Sequence, residues 1–141
     1  MTEKSVKTAV VLGSGGHTGE MMKLLGGSDL NVLKPREYIV ADSDQMSLQK
    51  VKQFEGNSSN YNVNTIARSR RVGQSYFTSV FTTLIAIFYS IPLVIKIKPE
   101  LLIVNGPGTC IPLCLIVFLF SKLRLISKCK IVFVESSNFF N

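Results

Sequence analysis

The sequence predicts an α/β fold in which a parallel sheet carries helices on both faces. Three observations lead there. Short apolar, β-branched runs alternate along the chain with helix-like stretches, the pattern of a sheet buried on both sides. The first of these runs passes directly into a glycine-dense turn, Gly13-Ser14-Gly15-Gly16-His17-Thr18-Gly19. Polar or glycine-rich residues also follow two later runs, Asn105-Gly106-Pro107-Gly108 after one and Glu135 after the other. In open sheets of this kind, ligands gather at the carboxyl ends of the strands, where all three of these features fall.

The elements follow in order. Residues 8–12 read as the first strand. Residues 18–25 read as a helix stopped by Gly26-Gly27. A second strand covers 37–41, after Pro35. A second helix covers 43–54, with Ser43 or Asp44 as its N-cap. Residues 56–60 form a turn-rich break, and 62–66 a third strand. Residues 101–104 are a short apolar strand, 111–120 a helix, and 130–134 the last strand, ending at Glu135. No internal repeat, low-complexity tract or second domain is visible, so residues 1–141 are expected to form one domain.

The 141 residues suffice for one sizeable core. Apolar residues make up 46% and the mean hydropathy is +0.29, high for a small soluble protein. Lys and Arg outnumber Asp and Glu by 16 to 9, a net charge of +7 that suits nucleic acid, an anionic lipid surface or a phosphorylated ligand. The cations flank apolar stretches and do not interleave with aromatics, which favours a membrane over nucleic acid. Cys110, Cys114 and Cys129 have neither disulfide-framework nor zinc-site spacing. Cys110 and Cys114 share a helix face as small buried hydrophobes, in keeping with a reducing, cytosol-facing compartment. The N-terminus carries no signal-peptide pattern.

Residues 80–95 are nearly all apolar, interrupted by Thr82, Thr83, Ser90 and Pro92. A spanning helix needs ~20 apolar residues, and this stretch reads as short and broken by proline. Arg68, Arg70 and Arg71 precede it and Lys96 and Lys98 follow it, without the asymmetry of a spanning helix. Two readings stand equally: a buried crossover helix, or a helix lying in the membrane interface with its cations on anionic headgroups. Residues 111–120 are expected to form a core helix.

The glycine loop lets backbone N–H groups approach a ligand, and a helix N-terminus behind it favours an anion, a diphosphate above all. His17, the sole histidine, can hydrogen-bond or move a proton near neutral pH. A Rossmann-like dinucleotide turn, G-x-G-x-x-G, is the rival reading. Gly13 and Gly15 fit it, but Thr18 holds the third position and Gly19 comes one residue late; Asp42, ending the second strand, would take the ribose. Residues 105–109 suit a plain strand-to-helix turn, yet offer a second set of backbone donors opposite the first loop. Glu135 reads equally as a plain polar residue or as a group orienting a sugar hydroxyl or polarising a base. Arg68, Arg70 and Arg71 read first as a solvated cluster, then as headgroup or phosphate contacts.

Several segments together carry a resemblance: Gly13-Ser14-Gly15-Gly16-His17-Thr18 with Glu20, Tyr38-Ile39-Val40-Ala41-Asp42-Ser43-Asp44, Arg68-Ser69-Arg70 with Gln74-Ser75, Phe81-Thr82-Thr83, Asn105-Gly106-Pro107-Gly108-Thr109-Cys110 and Val134-Glu135-Ser136. In this order, along nearly the whole chain, they resemble the asparagine-linked glycosylation protein 14 family. Its members are the membrane-anchoring subunits of the UDP-N-acetylglucosamine transferase of asparagine-linked glycosylation. The glycine-histidine loop is also similar to that of the bacterial transferase acting on undecaprenyl-diphosphate-muramoyl peptide, where it faces the acceptor diphosphate.

The resemblance implies the acceptor-side, N-terminal half of a split GT-B glycosyltransferase. A small catalytic subunit (asparagine-linked glycosylation protein 13 type) supplies the UDP-sugar half. Together they add the second N-acetylglucosamine to dolichyl-diphosphate-N-acetylglucosamine on the cytosolic face of the endoplasmic reticulum. His17 is then the first candidate base and Glu135 the second. Gly13, Ser14, Gly15, Gly16, Thr18, Asn105, Gly106, Pro107, Gly108 and Thr109 would surround the acceptor diphosphate, and Arg68, Arg70, Arg71, Lys96 and Lys98 would meet the membrane surface. No cofactor, metal or nucleic acid is implied, and the subunit is expected to be inactive alone. Measured against the family, the chain is expected to lack an N-terminal transmembrane helix and the C-terminal part. A truncated recruiting fragment without activity is the further alternative.

Overall fold

A computed structural model describes residues 3–13, 16–67, 73, 75–106 and 110–135. Five strands and four helices alternate through them: β1 (Thr8–Val11), α1 (Gly16–Gly26), β2 (Arg36–Ala41), α2 (Gln45–Glu55), β3 (Tyr61–Ile66), α3 (Tyr76–Ile97), β4 (Leu101–Asn105), α4 (Cys110–Lys122) and β5 (Lys130–Val134). The strands form one parallel sheet in the order β3-β2-β1-β4-β5, the Rossmann-like arrangement expected of the alternation.

Strand alternation divides the core into two layers. Ala9, Val11, Ile39, Leu102 and Val104 pack with Val94 and Ile97 of α3 and Leu113, Ile116 and Val117 of α4. Val10, Leu12, Tyr38, Val40 and Ile103 point the other way, onto Met21 and Leu25 of α1 and Val51 of α2. The helices divide between the faces because right-handed crossovers moving outward in opposite directions must use opposite faces. The order reverses between β1 and β4, so a crevice opens there at the carboxyl edge of the sheet.

The amino edge is locked by a buried ion pair. Arg36 Nε and Nη2 donate to the Glu55 carboxylate at 2.6 and 2.7 Å, and the Tyr38 hydroxyl adds a third bond to it at 2.5 Å. Burial on its own pushes the Glu55 carboxyl up, but hydrogen bonds from Arg36 and Tyr38 outweigh it and hold the group below its ordinary range. Arg36 also donates to the carbonyls of Leu30 and Leu33, which fastens the α1–β2 connection.

Two sequence expectations need correction. The stretch 80–95 was expected to be short and interrupted at Pro92. In fact α3 is a continuous helix of 22 residues, with Pro92 inside it. It starts earlier because the Ser75 side chain caps Thr78 N–H. Its buried residues, Ala86, Ser90, Val94 and Ile97, all lie in the C-terminal part that covers the sheet. Residues 76–85 hold none of them, and Phe77 is 93% exposed and Phe81 67%. At 1.5 Å per residue α3 is ~33 Å long against ~17 Å for a five-residue strand, so its first turns overhang the carboxyl edge. The buried crossover helix and the bare apolar helix are thus two halves of one element. α4, expected in the core, buries one face only, through Cys110, Pro112, Leu113, Ile116 and Val117, and leaves Ile111, Leu115, Phe118 and Leu119 exposed.

Candidate functional site at the strand-order reversal

The crevice is built where β1 and β4 end. Gly13 follows β1, and a methyl group there would stand 2.6 Å from the Asn105 carbonyl oxygen and 3.3 Å from His17 Cβ. Only glycine lets the two strand ends approach this closely. Gly106, at φ +90°, needs glycine for a different reason: its backbone lies in the left-handed region, under the His17 ring. The position a Gly106 side chain would take is 3.5 Å from His17 Cδ2 and from Gly13 Cα. A side chain at Gly16 would meet nothing within 4 Å, so that position faces open space.

Asn105 ties the two loops together. It is fully buried, and its Nδ2 donates to the His17 carbonyl at 2.9 Å. Its own carbonyl accepts from Cys110 Sγ at 3.4 Å, which secures the start of α4. Burial pushes the Cys110 thiol up to about 12 and keeps it a neutral donor. Asn105 Oδ1 and His17 Nδ1 are both buried with no hydrogen-bond partner among the described residues. Unsatisfied buried polar atoms are costly, and a pair of them in a crevice suits a polar ligand or water. The N-termini of α1 and α4 open at this edge, and both favour negative charge.

The Thr18 hydroxyl is engaged within the protein. Fully buried, it donates to the Gly13 carbonyl at 2.5 Å and meets Ser47 Oγ at 2.6 Å. Ser47 in turn donates to Asp44 Oδ2 at 2.6 Å. Through its hydroxyl Thr18 therefore holds the glycine loop onto α2. It also fills the place where a dinucleotide fingerprint needs its third glycine for close packing of helix on strand.

A family model described as "Oligosaccharide biosynthesis protein Alg14 like" matches residues 8–140. The chain belongs to the Alg14-like family. It is 42% identical over 143 residues to the UDP-N-acetylglucosamine transferase subunit ALG14 of Mus musculus, and 43% over 142 residues to that of Homo sapiens. Each match covers 94% of this chain and 65% of the relative. The Candida albicans subunit is 40% identical over 131 residues, covering 91% of this chain and 58% of that protein. The chain thus spans just under two thirds of the length of these relatives. Among solved structures, the C-terminal domain of the PF1911 hydrogenase of Pyrococcus furiosus superposes with a TM-score of 0.50 at 9% identity. It covers 96% of this chain and 95% of that domain, and shows the α/β fold alone.

Within this Alg14-like chain the expected site residues separate into groups. Gly13, Gly16, His17, Asn105 and Gly106 meet at the crevice. Ser14, Gly15, Pro107, Gly108 and Thr109 lie outside the described residues, as do Arg68, Arg70 and Arg71. Glu135 is exposed and follows Val134, the register partner of Asn105. It stands at the same edge, two strands from β1 or ~10 Å at the usual strand spacing. Lys96 and the left-handed cap Lys98 (φ 46°) stand at the C-terminal end of α3, by the amino edge and opposite the crevice. No group of three or more His, Cys, Asp or Glu that could hold a metal occurs among the described residues.

Sequence reasoning missed two residues that pack beside the start of α1. Asp44 was expected only as an N-cap, and it does accept from Ser47 N–H at 3.1 Å; its second oxygen anchors the Ser47–Thr18 chain. Lys50, one turn along α2, brings its Nζ to 3.8 Å from where a side chain at Gly19 would begin. A cation is thereby placed beside the first turn of α1. The i,i+3 spacing of Asp44, Ser47 and Lys50 on one helix face was the available signal.

Proposed function

We propose that this chain is the acceptor-binding and recruiting subunit of a UDP-N-acetylglucosamine transferase. Its substrate would be dolichyl-diphosphate-N-acetylglucosamine, to which the complete enzyme adds the second N-acetylglucosamine in the making of the oligosaccharide precursor for protein N-glycosylation. One observation carries this reading: the Asn105–His17 hydrogen bond unites two glycine loops and two helix N-termini on one crevice, in a chain whose relatives are named as subunits of that transferase. On this reading residues 1–141 form a single N-terminal-type domain of a split GT-B enzyme. The UDP-sugar half and most of the leaving-group chemistry belong to a small catalytic subunit of the asparagine-linked glycosylation protein 13 type.

The crevice supplies what acceptor activation needs. The diphosphate of the lipid carrier would lie against the N-termini of α1 and α4, its charge met by backbone N–H groups. Transfer is a single displacement. The acceptor hydroxyl oxygen bonds to the anomeric carbon, the bond to UDP breaks, and the hydroxyl proton passes to a base. His17 is the first candidate for that base. Glu135, one strand beyond Asn105, would orient the acceptor sugar or serve as base in its place.

Attachment to the cytosolic face of the endoplasmic reticulum fits the bare half of α3. By length and composition this is the one helix among the described residues apolar enough to cross a membrane. Its C-terminal half, however, is a wall of the core. We place Tyr76, Phe77, Phe81 and Leu84 in the interface beside the crevice, so that the carrier's diphosphate and the site share a level. Lys96 and Lys98 would then meet headgroups only if α3 lies flat.

The test is a transfer assay with the chain co-expressed with a small catalytic subunit. His17→Ala is expected to lower the rate by ~10²–10⁴-fold, the usual worth of a general base, while the subunits still co-purify. Unchanged transfer would leave recruitment as the sole role, and failure to co-purify would remove recruitment as well.

A further inference from the structure

We infer that Asn105 sets the tautomer of His17. Its side-chain Oδ1 accepts from Nδ1–H of the ring, which makes Nε2 the basic nitrogen. The inference deepens the reading of His17 as a base, and rests on that reading for its consequence in transfer.

The Asn105 amide can point only one way. The His17 carbonyl is an acceptor, so the amide atom 2.9 Å from it must be the donor, Nδ2. Oδ1 shares a carbon with that nitrogen and is thereby held beside the same residue. It is buried with no hydrogen-bond partner among the described residues, and His17 Nδ1 shares that condition. An amide oxygen can only accept, whereas Nδ1 donates or accepts according to tautomer. A proton on Nδ1 lets each atom satisfy the other. A proton on Nε2 leaves two buried acceptors with no proton between them, which is the costly arrangement.

The platform beneath the ring is rigid. Asn105 is fully buried at the end of β4, in register with Val134 of β5, and its own carbonyl takes the Cys110 thiol. The Gly106 backbone passes under the ring, with the place of a Cβ 3.5 Å from His17 Cδ2 and 3.8 Å from Cγ. The last ring torsion of histidine is broad, so turning Nδ1 onto Oδ1 is a soft motion.

Neutral histidine in water prefers its proton on Nε2, so the reverse preference is a property of this site. In transfer, Nε2 takes the proton of the acceptor hydroxyl while Nδ1–H stays bonded to Oδ1, and the imidazolium that forms keeps that bond. Asn105 is then a positioning residue, acting on the reaction only through His17. Glu20, at i+3 on α1, is the rival for the ring. A bond from Nε2–H to its carboxylate would select the opposite tautomer.

The experiment uses the fact that the chain has a single histidine. Isotopic labelling of histidine ring nitrogens therefore gives one pair of NMR signals, read on the alkaline plateau of their titration, where the ring is neutral. Nδ1 should be protonated and Nε2 bare. Asn105→Ala should return the proton to Nε2. Asn105→Asp, which keeps an acceptor oxygen, should hold it on Nδ1, and Glu20→Gln should move nothing. Circular dichroism checks that each variant is folded. With the small catalytic subunit co-expressed, Asn105→Ala should lower kcat by about ten- to a hundredfold at unchanged KM, the usual worth of a group that orients a reactive one. A bare Nδ1 in the unaltered chain would overturn the inference. So would a tautomer unmoved by Asn105→Ala, or one switched by Glu20→Gln. The spectra need no substrate: a protonated Nδ1 beside transfer indifferent to His17→Ala would support the inference and remove His17 as the base.

Discussion

The side-chain amide of Asn105 reaches the carbonyl of His17 across 88 positions of sequence, at 2.9 Å. Through that bond the end of β4 fixes the first turn of α1, and the chain's sole histidine is held over the Gly106 backbone. If His17 acts on a ligand, Asn105 is its positioning residue.

Replacing Asn105 should therefore disturb both stability and the crevice. Asn105→Ala removes one buried hydrogen bond and should cost about 1–2 kcal/mol in denaturant melts. Asn105→Asp should cost more, because a carboxylate oxygen would face the His17 carbonyl without a proton between them. Equal midpoints for the two variants would show that the amide proton is not the tie.

Gly13 and Gly16 should differ sharply as alanines. A methyl at Gly13 meets the Asn105 carbonyl at 2.6 Å, backbone against backbone, and should destabilise by about 1–3 kcal/mol. A methyl at Gly16 meets nothing, so thermal stability should hold. Should ligand affinity fall in Gly16→Ala at unchanged melting temperature, that open space belongs to the ligand.

The Thr18 and Ser47 hydroxyls lie 2.6 Å apart; one donates to the Gly13 carbonyl and the other to Asp44. Thr18→Val and Ser47→Ala should each cost about 1–2 kcal/mol. Their sum should exceed the double variant by 0.5 kcal/mol or more, roughly the coupling expected of groups in contact. Simple additivity would mean the two hydroxyls act independently.

The Arg36–Glu55–Tyr38 cluster sets an acid limit. The folded-state pKa of Glu55 lies below its unfolded value. Its contribution is thus present in full above the ordinary glutamate range and is lost as pH falls through the depressed value. Stability from urea melts should drop below about pH 4.3, and Glu55→Gln should flatten that part of the curve. At neutral pH the same variant should cost about 3–5 kcal/mol, since it leaves the Arg36 guanidinium buried and unpaired. Tyr38→Phe should cost less, as it removes one neutral donor.

The overhanging turns of α3 should bind lipid without supporting the fold. Phe77→Asp with Phe81→Asp should reduce co-sedimentation with anionic vesicles and leave the melting temperature unchanged or higher. A fall in melting temperature would mean that these exposed rings are covered by protein.

The sequence by itself determined the sheet, because short continuous apolar runs alternating with helical stretches, and with turn residues at their ends, suit a parallel sheet covered on both faces. It also determined which strand ends carry glycine, asparagine and glutamate, since chemistry at a strand end is local. Two matters were decided only in three dimensions. Thr18 looked like a ligand contact in a row of loop residues, and packing against α2 turned its hydroxyl inward to Gly13 and Ser47. Residues 80–95 looked like one apolar stretch with a single fate. The strand length covers only about half of a 22-residue helix, so the same composition is core at Val94 and bare surface at Phe77. Apolar character is written residue by residue, but burial depends on where a neighbouring element ends.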